Sequence, residues 1–169
     1  MMKRFISVLS LSICLTFVKN VHAVDFDSWD MIFLAPQNEN SGFNIYYNTR
    51  FGYAIEFPND FGQKGDLPGN NDGITMVNGD AVLAMWGSYN VMEDTPESLF
   101  AYESDIEHVF DKVVTEDSLS YFRSVDNMEI YTYKKTGNVI VSFQIEFPEE
   151  QHDKYAGIIS HMTDTVFIQ

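Results

Sequence analysis

The chain has 169 residues, 45% of them apolar and 15% aromatic, with 10 Lys and Arg against 25 Asp and Glu for a formal charge of −15 at pH 7. That balance excludes a protein that docks on nucleic acid or on anionic lipid headgroups, because both repel a strongly negative surface. One cysteine excludes an internal disulfide, so stability has to come from a core, and a chain of this length buries roughly two thirds of its unfolded surface.

The first residues, MMKRFISVLSLSICLTFVKNVHA, set Lys3 and Arg4 ahead of an apolar run from Phe5 to Val18 and end in Val21-His22-Ala23. That run of about 14 residues falls short of the ~20 a membrane-spanning helix needs, and the pattern is that of a secretory signal peptide over 1–23, cleaved after Ala23. Ile13 stands where a lipoprotein signal would need a small residue before Cys14. The lone cysteine leaves with the signal, and so do Lys3, Arg4 and Lys19, which makes the exported chain more acidic still. The expectation is a periplasmic or secreted protein with no membrane anchor after cleavage. Its negative charge serves solubility, or steers it toward a basic partner or divalent cations.

Residues 24–45 read as a leader with one short strand about Met31 to Leu34, and a single domain is expected over 46–169. In NTRFGYAIEFPNDF, Phe51, Tyr53, Ile55 and Phe57 alternate with Gly52, Ala54 and Glu56, the period of a strand covered on one side, and Pro58 ends it. A glycine-rich loop runs from Gly62 to Gly73. Ile74 to Val77 and Ala81 to Trp86 flank Asn78-Gly79, which predicts a hairpin on a type I′ turn. Thr95 then reads as a helix N-cap with Pro96 at the first position, and the stripe Leu99, Tyr102, Ile106, Val109 and Val113 carries the predicted helix to Val113. Leu119 to Val125, Met128 to Lys135 and Val139 to Phe147 form a meander with turns at Asp126-Asn127 and Thr136-Gly137-Asn138. Pro148 opens a last helix whose stripe is Tyr155, Ile158, Ile159, Met162 and Val166. Gly157 costs that helix about 1 kcal/mol relative to Ala, so close packing against a neighbour is expected there. The predicted class is α+β, a mainly antiparallel sheet covered by two amphipathic helices.

The order N-x-R-F-G-[YF]-x-[IV]-x-[FY]-P at Asn48 to Pro58 resembles the entry strand of the PsbP-like α-β-α sandwich superfamily. Asn71-Asp72-Gly73 and the TPESL helix start are similar to its bacterial exported relatives, and the resemblance spans Tyr46 to Phe167. It implies an α-β-α sandwich and a non-catalytic binder or assembly factor. Members of that superfamily include extrinsic subunits of the oxygen-evolving photosystem, and others bind a small GTPase in nuclear transport. No site residue of the family carries over onto this chain.

Catalytic spacing is missing from the sequence. Outside the signal the histidines are His108, His152 and His161; they form no H-E-x-x-H, and they read as surface residues. Aligning Gly73 with the invariant glycine of a calcium loop puts Pro68 where the first aspartate belongs and Gly79 where the last glutamate belongs, leaving at most a weak irregular site around Asp66, Asn70, Asn71 and Asp72. Gly87-Ser88 lacks the second glycine of a nucleophile elbow, and Glu103 and Glu107 read as a solvated helix face. The expectation is no enzyme, no cofactor and no metal.

Aromatic side chains supply the candidate contacts. Tyr131 and Tyr133 share a strand face with Glu129 and Lys135, and Trp86 and Tyr89 end the first hairpin; each pair is either a partner-binding patch or lies beneath a helix. The leading reading is an exported protein-binding or adaptor module with another protein, possibly basic, as its partner. The alternatives are an inhibitor or protective partner of a basic envelope-active enzyme or toxin, and an enzyme with an unrecognised site.

Overall fold

A computed structural model describes residues 42–64, 71–103 and 108–169, with the backbone of 32–34. The predicted signal peptide, most of the leader, Asp66 and Asn70 of the glycine-rich loop, and Ile106 and Glu107 lie outside the described residues. In chain order come β1 (Ile32–Leu34), β2 (Phe43–Asn48), β3 (Tyr53–Pro58), β4 (Gly62–Gln63), β5 (Gly73–Asn78) and β6 (Ala81–Tyr89). Helix α1 (Pro96–Ala101) follows, then β7 (Val109–Val114), β8 (Ser118–Val125), β9 (Met128–Lys135) and β10 (Val139–Pro148). A 3-10 turn at Glu149–Gln151 leads into α2 (His152–Thr165), and β11 (Phe167–Ile168) ends the fold.

The strands make two antiparallel sheets, one ordered β1-β2-β3-β11 and the other β4-β5-β6-β10-β9-β8-β7. Period-two alternation puts Leu83, Met85, Phe143, Ile145, Tyr131 and Tyr133 on one face of the larger sheet, with Phe143 opposite both Met85 and Tyr133. Helix α2 lays Tyr155, Ile159 and Met162 over β3, β9 and β10, and the Tyr155 ring stacks on Phe147 with centroids 4.5 Å apart. Ile55 and Phe57 of β3 complete this core. Each such side chain, fully buried, contributes about 1.5–3 kcal/mol.

Tyr53 shows how the RFGY stretch packs the smaller sheet onto the larger. A Cβ on Gly87 would stand 2.6 Å from Cε1 of the Tyr53 ring, so only glycine lets β6 pass under that ring. Asn48, wholly buried, accepts from the Phe51 amide and donates from Nδ2 to the Tyr46 hydroxyl at 3.0 Å and to the Asn71 carbonyl at 3.1 Å. The β2–β3 turn and the residues before β5 are thereby held to one side chain. This stretch is a packing device.

Three expectations are corrected. First, the predicted helix does not reach Val113: α1 ends at Ala101, Tyr102 is 73% exposed, and Val109–Val114 is a strand. Val109, Val113 and Val114 are β-branched and favour a pleated surface, and Phe110 stacks on Phe122 of β8 with centroids 5.5 Å apart. Second, the β5–β6 turn has Asn78 paired with Ala81, and only Gly79 is at positive φ (+59°), the pattern of type II′; the two-residue positive-φ pattern of type I′ belongs to Asp126 and Asn127. Third, Gly157 is exposed with open space where a Cβ would stand, so no close neighbour explains it.

Strand β2 lies partly within the predicted leader, and β11 was not expected. Helix α1 is only six residues long and packs against β8, where Phe100 meets Tyr121 edge-on at 5.7 Å above the buried Leu119. Among the described residues no helix is long and apolar enough to cross a membrane.

Candidate functional site

Tyr131 and Tyr133 do not form a rim patch. Each is 6% exposed, Tyr133 stacks on Phe143 at 5.4 Å, and the Tyr131 hydroxyl meets Thr163 Oγ1 of α2 at 3.3 Å. Glu129 and Lys135, on the same strand face, are engaged by His152 and Asp117. Trp86 and Tyr89 are three residues apart on one strand and so emerge on opposite faces. Trp86 is half-buried across from Ser142, whereas Tyr89 is 56% exposed, with its ring edge-on to Phe51 at 5.0 Å and its hydroxyl donating to the Arg50 carbonyl at 3.4 Å. Of the four, Tyr89 is the most available to a partner.

Immediately beyond Tyr89 the chain turns into a concavity lined by Asn90. Asn90 anchors it: the Asn90 amide donates to the Asn138 carbonyl at 3.0 Å, and its Nδ2 donates to the Asp94 and Gly137 carbonyls at 3.0 and 3.1 Å. Its Oδ1 accepts from the Asp94 amide at 2.8 Å. A second tie, from the Thr136 amide to the Asp117 carbonyl at 2.8 Å, draws in the β7–β8 turn. Between these three loops lies a cleft of about 810 Å³, lined among others by Glu93, Asp94, Glu116 and Asp117 and, among the described residues, by no lysine or arginine.

Two of those carboxylates are spoken for. Asp94 accepts from Ser98 Oγ at 2.9 Å, and Asp117 faces Lys135 Nζ at 3.4 Å. Glu93 and Glu116 have no ion-pair partner among the described residues. On the lip, Val91 is 82% and Met92 77% exposed, the most exposed large apolar side chains described. Sequence reasoning missed the pair because two apolar residues inside a polar loop carry no periodic signal.

The other charged groups serve packing. Glu103 is held by Lys134 Nζ at 2.6 Å; burial pushes its carboxyl up, but hydrogen bonds from Lys134 and Tyr121 with the Lys134 charge bring it below the ordinary value. Tyr121 is correspondingly pushed up to about 12, by burial first and then by its bond to Glu103. Two of the histidines each meet a glutamate: His152 Nδ1 lies 2.6 Å from Glu129 Oε2, and His161 Nε2 lies 2.7 Å from Glu56 Oε2 with its ring stacked on Phe43 at 3.8 Å. The Glu129 bond raises the His152 pKa above its ordinary value. Among the described residues no three His, Cys, Asp or Glu side chains converge to hold a metal ion.

No protein family matches the chain, and no curated protein is significantly similar to it. A solved structure is similar: the solution structure of cyanobacterial PsbP (CyanoP) from Synechocystis sp. PCC 6803 superposes with a TM-score of 0.58 at 12% identity, covering 76% of this chain and 94% of that one. The chain therefore has a PsbP-like fold, mainly antiparallel and α+β, as the residues from Asn48 to Pro58 imply.

Proposed function

We propose that this is an exported, non-catalytic protein-binding or adaptor module that receives a basic partner at the acidic cleft and its apolar lip. The observation that carries the reading is the conjunction at one place of the exposed Val91 and Met92 with the carboxylates of Glu93 and Glu116, which have no ion-pair partner among the described residues. Apolar area supplies the binding energy of an interface core, while surrounding charge sets approach rate and orientation. Export rests on the N-terminal signal pattern, and a periplasmic or extracellular site of action follows from it. The net negative charge favours a second reading of the same surface, an inhibitor or protective partner of a basic envelope-active enzyme or toxin.

A capture experiment from cell-envelope extract at moderate salt tests the proposal, run in parallel with a Val91→Ser/Met92→Ser variant and a Glu93→Gln/Glu116→Gln variant. One defined protein is retained by the natural chain and lost from both variants, which keep its melting temperature. Retention unchanged in both variants overturns the assignment of this surface. The inhibitor reading adds that the association rate with the isolated partner falls steeply with sodium chloride.

A further inference from the structure

A second concavity lies between α2 and the adjoining strands, and it shares no residue with the acidic cleft. It measures about 280 Å³ and is lined by Phe122, Tyr131, His152 and Ile159, with Asp111 and Asp164 also in its wall. We propose that this groove is a seat for a methylated ammonium group, the head of a quaternary or N-methylated amine.

Three rings meet there. The Phe122 centroid is 4.8 Å from that of Tyr131 and 5.7 Å from that of His152, and both neighbours are tilted against it rather than stacked flat. Phe and Tyr ring faces carry negative electrostatic potential and attract a cation within about 6 Å of the centroid, and the imidazole joins them only while uncharged. Glu129 fixes the His152 ring through Nδ1, so this arrangement is held in place.

Asp111 supplies the argument for charge. Phe110 is paired with Phe122 and stacks on it, so both side chains lie on the face that α2 covers. A regular strand would send the next residue, Asp111, to the opposite face. Instead β7 is bulged between Phe110 and Val113, Asp111 takes φ +48°, and its side chain lines the groove. A bulge re-aims a side chain in this way. Neither Asp111 nor Asp164 has an ion-pair partner among the described residues, and no lysine or arginine lines the groove.

Oxygen accounting then selects the kind of cation. The Tyr131 hydroxyl and Thr163 Oγ1 are engaged with each other, and Glu129 is engaged by His152. A guanidinium or primary ammonium would find acceptors in the exposed Asp111, Ser160 and Asp164, but its N–H donors turned toward the rings would face carbon, and each donor left unpaired there is costly. A methylated ammonium brings none. Its methyl groups sit against the rings while Asp111 and Asp164 balance the charge at the rim. Anions are repelled by the same carboxylates, and a neutral ligand gains nothing from them.

The test is a titration of the full chain with choline chloride at a pH above the His152 midpoint, located first by NMR, followed by NMR of the Phe122, Tyr131 and His152 ring resonances. The control is 3,3-dimethylbutan-1-ol, which has the same shape without the charge. Choline gives saturable shifts confined to these rings, with a millimolar dissociation constant, and the neutral alcohol gives none. Phe122→Leu, which keeps apolar bulk but removes the ring, weakens choline binding at least about tenfold. The Asp111→Asn/Asp164→Asn variant, altered only at exposed side chains, weakens it severalfold and is decisive should the Phe122 variant fail to fold. The proposal is overturned by equal shifts from the neutral alcohol, by no saturation up to about 100 mM choline, or by shifts that persist unchanged in the Asn variant. None of these readings depends on the partner surface, so either proposal can fall without the other.

Discussion

Gly157 and His152 lie on the same helix and make opposite demands on it. Gly157 faces solvent with nothing within 4 Å of the position its Cβ would occupy, so Gly157→Ala removes only backbone freedom from the unfolded chain. The substitution stabilises by about 1 kcal/mol, read as a higher melting temperature in a thermal scan. His152 is held by Glu129, whose bond raises the imidazole pKa above 6.5. Folding therefore favours the protonated ring. The resulting stability is fully present below the unfolded imidazole pKa and is lost as pH rises through the raised folded value. Because the His152 side chain is 44% exposed, the contribution stays under about 1 kcal/mol. Glu129→Gln brings the His152 midpoint down toward 6.5 in an NMR titration, and the melting-temperature gap between variant and natural chain closes above the raised midpoint.

At the scale of elements, β8, β9, β10 and α2 were legible because turn chemistry bounds each and an apolar period runs through it, most regularly in Val139, Val141, Phe143, Ile145 and Phe147 of β10. The end of α1 was not, since Val109 and Val113 fall four apart by sequence and so continue a helical stripe, whereas the β7 bulge pairs them with Arg123 and Ser120 on opposite faces of the sheet. Strand β2 escaped because its core face carries Asn48, a buried polar residue that breaks the apolar alternation while holding a turn. The start of α1 was readable from its capping residues. Thr95 Oγ1 accepts from the Ser98 amide at 3.3 Å, and Ser98 Oγ accepts from the Thr95 amide at 3.0 Å, a reciprocal cap. Thr95→Ala weakens this six-residue helix by about 1 kcal/mol, and hydrogen exchange at the Ser98 and Leu99 amides accelerates while that of β10 stays unchanged.

Over the whole molecule, fold and site differ in how far sequence reaches. Burial of Tyr131 and Tyr133 depends on α2, which arrives two elements later, so the strand alone does not reveal whether its tyrosines face a partner or a lid. The opposite facing of Trp86 and Tyr89, by contrast, follows from strand parity alone. The ring groove draws on β7, β8, β9 and α2 together and leaves no spacing in any one stretch. Charge is the property read most directly. With 25 acids against 10 bases, self-repulsion opposes compaction, so added sodium chloride raises the melting temperature until the repulsion is screened.

The bulge in β7 has one more effect. Among the described residues this strand forms an outer margin of the seven-stranded sheet, and Val113 and Val114 stand exposed along it, 55% and 36% open. A straight margin with such residues would template the addition of another chain and, repeated, a fibril. The kink at Asp111 breaks the regular row of amides and carbonyls, so the distortion that re-aims a carboxylate toward the groove also makes this rim a poorer template for strand addition.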